Sequence, residues 1–378
     1  MSGRRLTVLQ MLPDLAGGGV ERGTIETAHA LVEAGHRALV MSAGGRLVSE
    51  LVAGGAEHIA RPIGRKSPAT LRQLGPLRRI LRERSVDVLH ARSRVPAWLA
   101  LLAHRSLPAA ARPHLMTTMH GLHSVGRFSS VMTRGQTVVA VSRTVRDHIA
   151  THYRHCCDAA AVRVIRNGID HDRFPHGFEP PGPWREAFFA EHPQLIGRRL
   201  LTLIGRLTRL KGHHDLLAAL DRLPRDYHAV IVGGEDPRRA GYAAEIREAA
   251  AARAGRVTLT GHRSDAREIA AISEAVLSLS TKPESFGRSV LEALALGVPV
   301  VGYSHGGVAE ILGELFPEGR VAVGDVVGVA EQIQRIAQGN RQPAAFDSFA
   351  LADTLAARVA LYEEVAGKPS AMPLRRAA

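Results

Sequence analysis

Two glutamates eight residues apart, Glu284 and Glu292, mark the most chemical stretch of this chain, residues 276–304 (VLSLSTKPESFGRSVLEALALGVPVVGYS). It reads strand, glycine-bearing loop, short helix closed by Gly297, strand. A carboxylate in the loop and one in the early helix lie roughly 12 Å apart at most, at ~1.5 Å rise per residue. That separation suits two ends of one elongated ligand, not a carboxylate pair acting on a single bond. The amides of Ser285, Phe286 and Gly287 stand at the helix start, where the dipole favours an anion. The stretch predicts a phosphate seat with a hydroxyl-binding acid on either side, the outline of a nucleotide-sugar.

Further groups of the same kind follow other strands. In GRLTRLKG, Arg206 and Lys211 are five residues apart at a strand-to-helix turn, one a bidentate donor and one a point charge, suited to a diphosphate. The loop PDLAGGGVERG carries Gly17, Gly18 and Gly19, which let the backbone approach a ligand closely, with Glu21 and Arg22 just after. It lacks the G-x-G-x-x-G spacing, which disfavours a dinucleotide cofactor. His120 and Gly121 end the strand MTTMH, with His123 nearby, and HARSRVPAW places Arg92, Ser93 and Arg94 at another strand's end. Asp170 and Asp172 form a D-x-D that precedes a Pro/Gly-rich stretch, not the end of an apolar strand, so they are assigned to structure and no metal is expected. His213 and His214 are adjacent on a helix and point apart, which assigns them to solvated surface.

Positioning these loops requires a repeated βα scaffold. Strands and helices alternate through the first half, lapse over the Pro/Gly-rich 170–199, and restart with RRLLTLIGRL. The reading is an α/β fold of two doubly wound parallel-sheet domains facing a central cleft, with ligands at the strand C-ends. The boundaries are residues 1–175, a linker over 176–197, a second domain over 198–345, a helix over 346–367 and a tail over 368–378. In the first half, SPATLRQLGPLRRILRERS reads as one long basic helix capped by Ser67.

Composition narrows the class. At 378 residues two domains are expected. The net charge of +13 resides wholly in residues 1–175, which hold 25 Lys/Arg against 12 Asp/Glu. An anionic surface or partner facing the first half explains that asymmetry. Scarce aromatics and the lack of a recognition helix argue against a nucleic-acid binder. The two cysteines, Cys156 and Cys157, are adjacent and fit a reducing compartment. With no leader and no apolar run of ~20 residues, the expected location is cytoplasmic.

The stretch E-S-F-G-R-S-V-L-E-A-L-A-L-G-V-P-V-V resembles the E-x7-E signature of retaining glycosyltransferases of family 4, which have the GT-B fold. GRLTRLKG is similar to that family's phosphate clamp, GG-x-E-R to its first loop, and VIRNGIDHDRF to the end of its first domain. The resemblance covers nearly the whole chain. It implies that Glu284 binds the transferred sugar, that Glu292 holds the ribose, and that Arg206, Lys211, Gly18, Gly19 and the 285–287 amides hold the diphosphate. It further implies that His120 sits near the sugar, that the loop of Gly261, His262 and Arg263 holds the base, and that Gly17, Glu21, Arg22, Ser93 and Arg94 face the acceptor. A helix crossing back to the first domain, front-face transfer without a metal, and a donor most commonly linked to UDP are implied as well. The expectation is a monomeric enzyme with no cofactor beyond its nucleotide-sugar, no nucleic-acid partner, and a saccharide or lipid-linked acceptor in lipopolysaccharide core or surface-polysaccharide synthesis. Contact with the inner face of an anionic membrane accompanies it. The alternatives are another GT-B enzyme, such as a nucleotide-sugar epimerase or soluble-acceptor synthase, and, on charge alone, a nucleic-acid-binding protein.

Overall fold

The computed structural model describes residues 4–235, 240–253, 255–339 and 341–367. The chain divides into two compact units, Met1–Gly168 with Leu351–Ala378, and Ile169–Ala350.

The first unit is built on seven strands: β1 (Thr7–Met11), β2 (Arg37–Ser42), β3 (Glu57–Ala60), β4 (Val88–Ala91), β5 (His114–Met119), β6 (Thr137–Ala140) and β7 (Val162–Val164). They pair in the order β3-β2-β1-β4-β5-β6-β7, every pair parallel. Successive strand residues point to opposite faces, so each strand feeds two cores. Leu9, Leu89, Leu115 and Val138 pack on one face, whereas Val8, Val88, Met116 and Val139 pack on the other. That second face is closed in part by Leu361, Tyr362 and Val365 of the last helix, Leu351–Ala366. Covering both faces is what lets a parallel sheet consist of nearly continuous apolar runs.

The second unit repeats the plan with six strands: β8 (Arg199–Ile204), β9 (Tyr227–Val232), β10 (Val257–Gly261), β11 (Ala275–Ser278), β12 (Val300–Tyr303) and β13 (Arg320–Val321). Their order is β10-β9-β8-β11-β12-β13, again parallel. In both sheets the order reverses beside the first strand of the unit, between β1 and β4 and between β8 and β11. Ligands of open α/β sheets bind outside the strand C-ends at such a reversal. The loops that follow β1 and β4 in one unit, and β8 and β11 in the other, therefore border the crevice at each reversal.

Three local expectations are corrected. The 176–197 stretch is not merely a linker: it contains the helix Gly182–Glu191. Pro183 in its first turn is a helix-start residue, so the Pro/Gly richness there announces a helix. Trp184 stacks on Phe188 at 4.9 Å, and Phe188 is buried with Leu195, Leu200, Val230 and Ile269. The long basic helix of the first half is two pieces, a 3-10 turn Pro68–Gln73 and an α-helix Leu74–Glu83 with Pro76 in its first turn. Ser67 does cap the first piece, its Oγ accepting from the Ala69 amide (3.2 Å). His213 is buried and bonded through Nδ1 to the Tyr242 hydroxyl (3.1 Å), whereas His214 is exposed beside Glu245 (2.8 Å). The 368–378 tail lies outside the described residues.

Candidate functional site

In the second unit, the loops after β8 and β11 bring together residues 73 positions apart. Lys211 Nζ donates to Glu284 Oε1 at 2.7 Å, both side chains about three-quarters buried. The Ser280 hydroxyl donates to the same oxygen. Burial by itself would raise the Glu284 carboxyl; the Lys211 charge and the Lys211 and Ser280 hydrogen bonds outweigh it, with His305 adding to them, and hold it below the usual carboxylate range. Arg206, two residues after β8, is exposed and has no side-chain partner among the described residues.

Close backbone packing fixes the two loops. Gly212 has φ +71°, and a Cβ there would lie 2.8 Å from the Leu279 carbonyl carbon and nearer still to its oxygen. Only glycine permits both the left-handed backbone and that approach. The Thr281 amide donates to the Leu210 carbonyl (2.8 Å), tying one loop to the other. On the far side, Gly306 and Gly307 begin the helix Gly306–Leu315; the Gly307 amide donates to the Glu284 carbonyl (2.8 Å), and His305 Nε2 donates to the Ser280 carbonyl (2.7 Å). A Cβ on Gly307 would meet the Phe286 carbonyl carbon at 2.7 Å. Sequence reading passed over Ser280, His305, Gly306 and Gly307; the S-H-G-G that follows β12 was the available signal.

The remaining residues singled out in this unit fall into two groups. Ser285, Phe286 and Gly287 directly precede the helix Arg288–Ala295. The Phe286 ring itself is buried in the core, so only its backbone can face a ligand. Glu292 is half-buried in that helix, with Arg288 Nε at 3.1 Å. The other group is the loop after β10. Gly261 ends the strand, His262 is exposed, and Arg263 has its guanidinium spread over Asp265 (2.8 and 2.9 Å) and Glu191 (2.8 and 2.9 Å). That double pairing raises the Arg263 pKa and holds Asp265 down to about 2. The Arg263 side chain therefore belts the loop to the helix Gly182–Glu191.

In the first unit, the loops after β1, β4 and β5 carry the predicted groups. Gly17 and Gly18 precede the helix Gly19–Glu33. The Glu21 carboxylate folds back over Gly18, and Arg22 is ion-paired with Glu50. Ser93 begins the helix Arg94–Ser106; its Oγ is buried without a hydrogen-bond partner among the described residues. Arg94 reaches Ser129 Oγ (3.3 Å) and lies 5.6 Å from the Phe128 ring centre. Arg92, at the same strand end, is 3% exposed and donates to Gln10 Oε1 (2.7 Å). Burial and the nearby Arg358 push its pKa down to about 9, which leaves it charged at neutral pH.

His120 is half-buried at the end of β5, and burial followed by the Arg92 and Arg358 charges pushes its pKa well below the ordinary value. Its imidazole is neutral at pH 7, able to donate or accept one hydrogen bond without carrying charge. His123 is held down to about 4, by burial first and then Arg94 and His148. A bonded line runs beneath this loop: Tyr362 hydroxyl to His90 Nδ1 (2.6 Å), then His90 Nε2 to Thr118 Oγ1 (2.7 Å). Arg358 reaches Thr27 Oγ1 and Asn167 Oδ1, each at 3.0 Å. The last helix thus braces the strands that present His120. Asp170 Oδ1 accepts from the amides of Asp172 (3.0 Å) and Arg173 (3.3 Å), a turn-capping use.

Known proteins match this arrangement. A domain described as Glycosyltransferase Family 4 matches residues 17–173, and one described as Glycosyl transferases group 1 matches residues 185–351. Glycogen synthase of Mycobacterium tuberculosis is 29% identical over 271 residues, covering 66% of this chain and 60% of that protein. The phosphatidyl-myo-inositol mannosyltransferase of Mycolicibacterium smegmatis is 27% identical over 349 residues, covering 87% and 83%. Among solved structures, a glycosyltransferase from Rickettsia africae superposes with TM-score 0.84 at 26% identity, covering 97% of this chain and 100% of that one. HepE of Anabaena in complex with UDP and glucose superposes with TM-score 0.75 at 22% identity, covering 95% and 98%. Two matched domains spanning most of the sequence, each on its own parallel sheet, place the chain in glycosyltransferase family 4, with the GT-B fold.

Proposed function

We propose that this chain is a metal-independent, retaining glycosyltransferase that moves a hexose or related sugar from a UDP-linked donor to a saccharide or glycolipid acceptor of a bacterial surface glycan. One observation carries the reading: at the strand reversal of the second sheet Lys211, from the loop after β8, is bonded to an ionised Glu284, from the loop after β11, and Arg206 of the same β8 loop is exposed and unpartnered among the described residues. In this reading the bond between the sugar's anomeric carbon and the β-phosphate oxygen breaks, and its electron pair leaves with the diphosphate. Arg206, Lys211 and the amides of 285–287 stabilise that developing charge. Glu284 accepts hydrogen bonds from sugar hydroxyls and Glu292 from the ribose. The acceptor hydroxyl attacks on the face the diphosphate leaves, and its proton passes to a departing phosphate oxygen.

UDP is favoured by HepE, whose structures hold UDP, and GDP by a GDP-mannose-dependent mannosyltransferase of Mycobacterium tuberculosis, 30% identical over 272 residues. A surface-glycan acceptor draws support from the fold of WaaG, a lipopolysaccharide-biosynthesis glycosyltransferase with TM-score 0.64. The glycogen synthase relative favours a soluble polysaccharide acceptor instead. The first unit supports an anionic membrane as the working surface. Residues 61–84 hold eight Lys/Arg against one acid, Glu83. Of these, Arg61, Arg65, Lys66, Arg72, Arg79 and Arg82 are exposed, and none meets an acidic side chain among the described residues. Leu71 and Phe128 stand exposed beside them, Lys66 Nζ lying 5.0 Å from the Phe128 ring centre. No helix among the described residues is long and apolar enough to cross a bilayer, so attachment through this band is peripheral.

A thermal-shift panel of UDP-, GDP- and ADP-sugars tests the donor. We expect UDP-sugars to raise Tm most, and Glu284→Ala to abolish transfer while UDP affinity stays within about threefold. A Glu284→Ala variant that folds and turns over normally removes that residue from the chemistry.

A further inference from the structure

Glu284 has an asymmetric set of partners. Both protein donors, Lys211 Nζ and the Ser280 hydroxyl, address Oε1, and nothing among the described residues is bonded to Oε2. The two donors differ in kind. Lys211 is a point charge on a flexible stem whose three N–H groups suit a phosphate as well as a carboxylate. A diphosphate arriving at this turn competes for it. Ser280 cannot be drawn away: it is 4% exposed, its side chain has one rotatable bond, and its hydroxyl proton is committed to Glu284.

The backbone under Ser280 is fixed from two sides. His305 Nε2 donates to its carbonyl (2.7 Å), and the following amide, of Thr281, donates to Leu210 (2.8 Å). The Glu284 backbone is held in turn by the Gly307 amide (2.8 Å). Ser280 and Glu284 are therefore two fixed points with one hydrogen bond between them. That bond restrains Oε1 even when Lys211 is shared.

We infer that Ser280 is a positioning residue for Glu284: it pins Oε1 so that Oε2 keeps facing the bound sugar once the donor diphosphate engages Lys211. The inference rests on the reading of Glu284 as the group that binds sugar hydroxyls. Its effect belongs in turnover and not in nucleotide affinity, because the hydroxyl touches the acid and not the diphosphate cation.

Ser280→Ala and Ser280→Thr are compared with wild type by calorimetry with UDP, by steady-state hydrolysis of UDP-glucose across pH, and by a carboxyl-carbon NMR titration of Glu284 without substrate. Ser280→Ala is expected to lower kcat about tenfold or more, with UDP affinity within about twofold. A hydroxyl that donates to the ionised carboxylate favours ionisation, so its loss moves the acid limb of kcat/KM and the Glu284 titration to higher pH. The other titratable groups facing this carboxylate, Lys211 and His305, are unchanged in the variant. Ser280→Thr keeps the hydroxyl and is expected to restore most of the turnover and the wild-type titration. An unmoved Glu284 titration in Ser280→Ala overturns the inference, as does a loss confined to UDP affinity. Wild-type activity in Glu284→Gln overturns instead the reading of Glu284 on which it rests, leaving the substrate-free titration to judge Ser280 alone.

Discussion

Gly212 is the position where one added carbon should separate the cation from the acid. In Gly212→Ala the new Cβ meets the Leu279 carbonyl group, its carbon at 2.8 Å, where ordinary contacts begin above 3.4 Å. Leu279 is fully buried and precedes Ser280, so the carbonyl cannot retreat without pulling on the Glu284 loop. Holding alanine at φ +71° costs roughly 1–2 kcal/mol, and overpacking adds roughly 1–3 kcal/mol. The sum, roughly 2–5 kcal/mol, corresponds to about 5–15 °C in Tm for a unit of this size. Lys211 neighbours the clash, so UDP affinity should fall about tenfold or more. Gly197 supplies the control: its φ is +70° and nothing lies within 4 Å of its would-be Cβ. Gly197→Ala carries the backbone strain alone and should lose only the smaller share of Tm, with UDP binding intact. Differential scanning calorimetry and UDP titration of both variants decide the matter. Equal losses in the two would falsify the argument that the close approach to Leu279 sets the Lys211 turn.

Two further outcomes follow from charge. His104, His213 and His228 are buried, and burial pushes each down to about 4. Their folded-state pKa lies below the unfolded value near 6.5, so the stability they contribute is complete above that value and is lost as pH falls through it towards 4. At about pH 5 each costs about 2 kcal/mol relative to about pH 7.5; His213 and His228 share the second unit, so its Tm measured by calorimetry should drop by about 8–16 °C and that of the first unit, which holds His104, by about 4–8 °C, and a Tm that stays flat over that interval refutes the burial argument. Separately, reversing Arg79 and Arg82 to Glu should lower binding to phosphatidylglycerol vesicles about tenfold or more at low salt, with UDP affinity unchanged; flotation that ignores both charge and salt rules out the basic band as the contact.

The α/β class, the two sheets and the loops that carry chemistry are written into the local pattern of the chain. Apolar runs such as VLHA and VIV, punctuated by glycine turns, have few other ways to be buried, and a parallel sheet sends its loops to one edge. Glu284, Arg206 and Lys211 were legible for that reason: each follows a strand by a few residues. Which partners they take is settled only in the folded molecule. Lys211 and Glu284 are 73 residues apart, and the strand order that puts β8 beside β11 makes them neighbours. Likewise, no local pattern distinguishes Arg92 from Arg94 or His213 from His214; burial of one and exposure of the other follow from which side of a strand end or helix meets the core. The Pro/Gly-rich 176–197 stretch misled because proline both breaks helices and begins them. The buried Phe188 behind it becomes evident only once Val230 and Ile269 are in place to receive it.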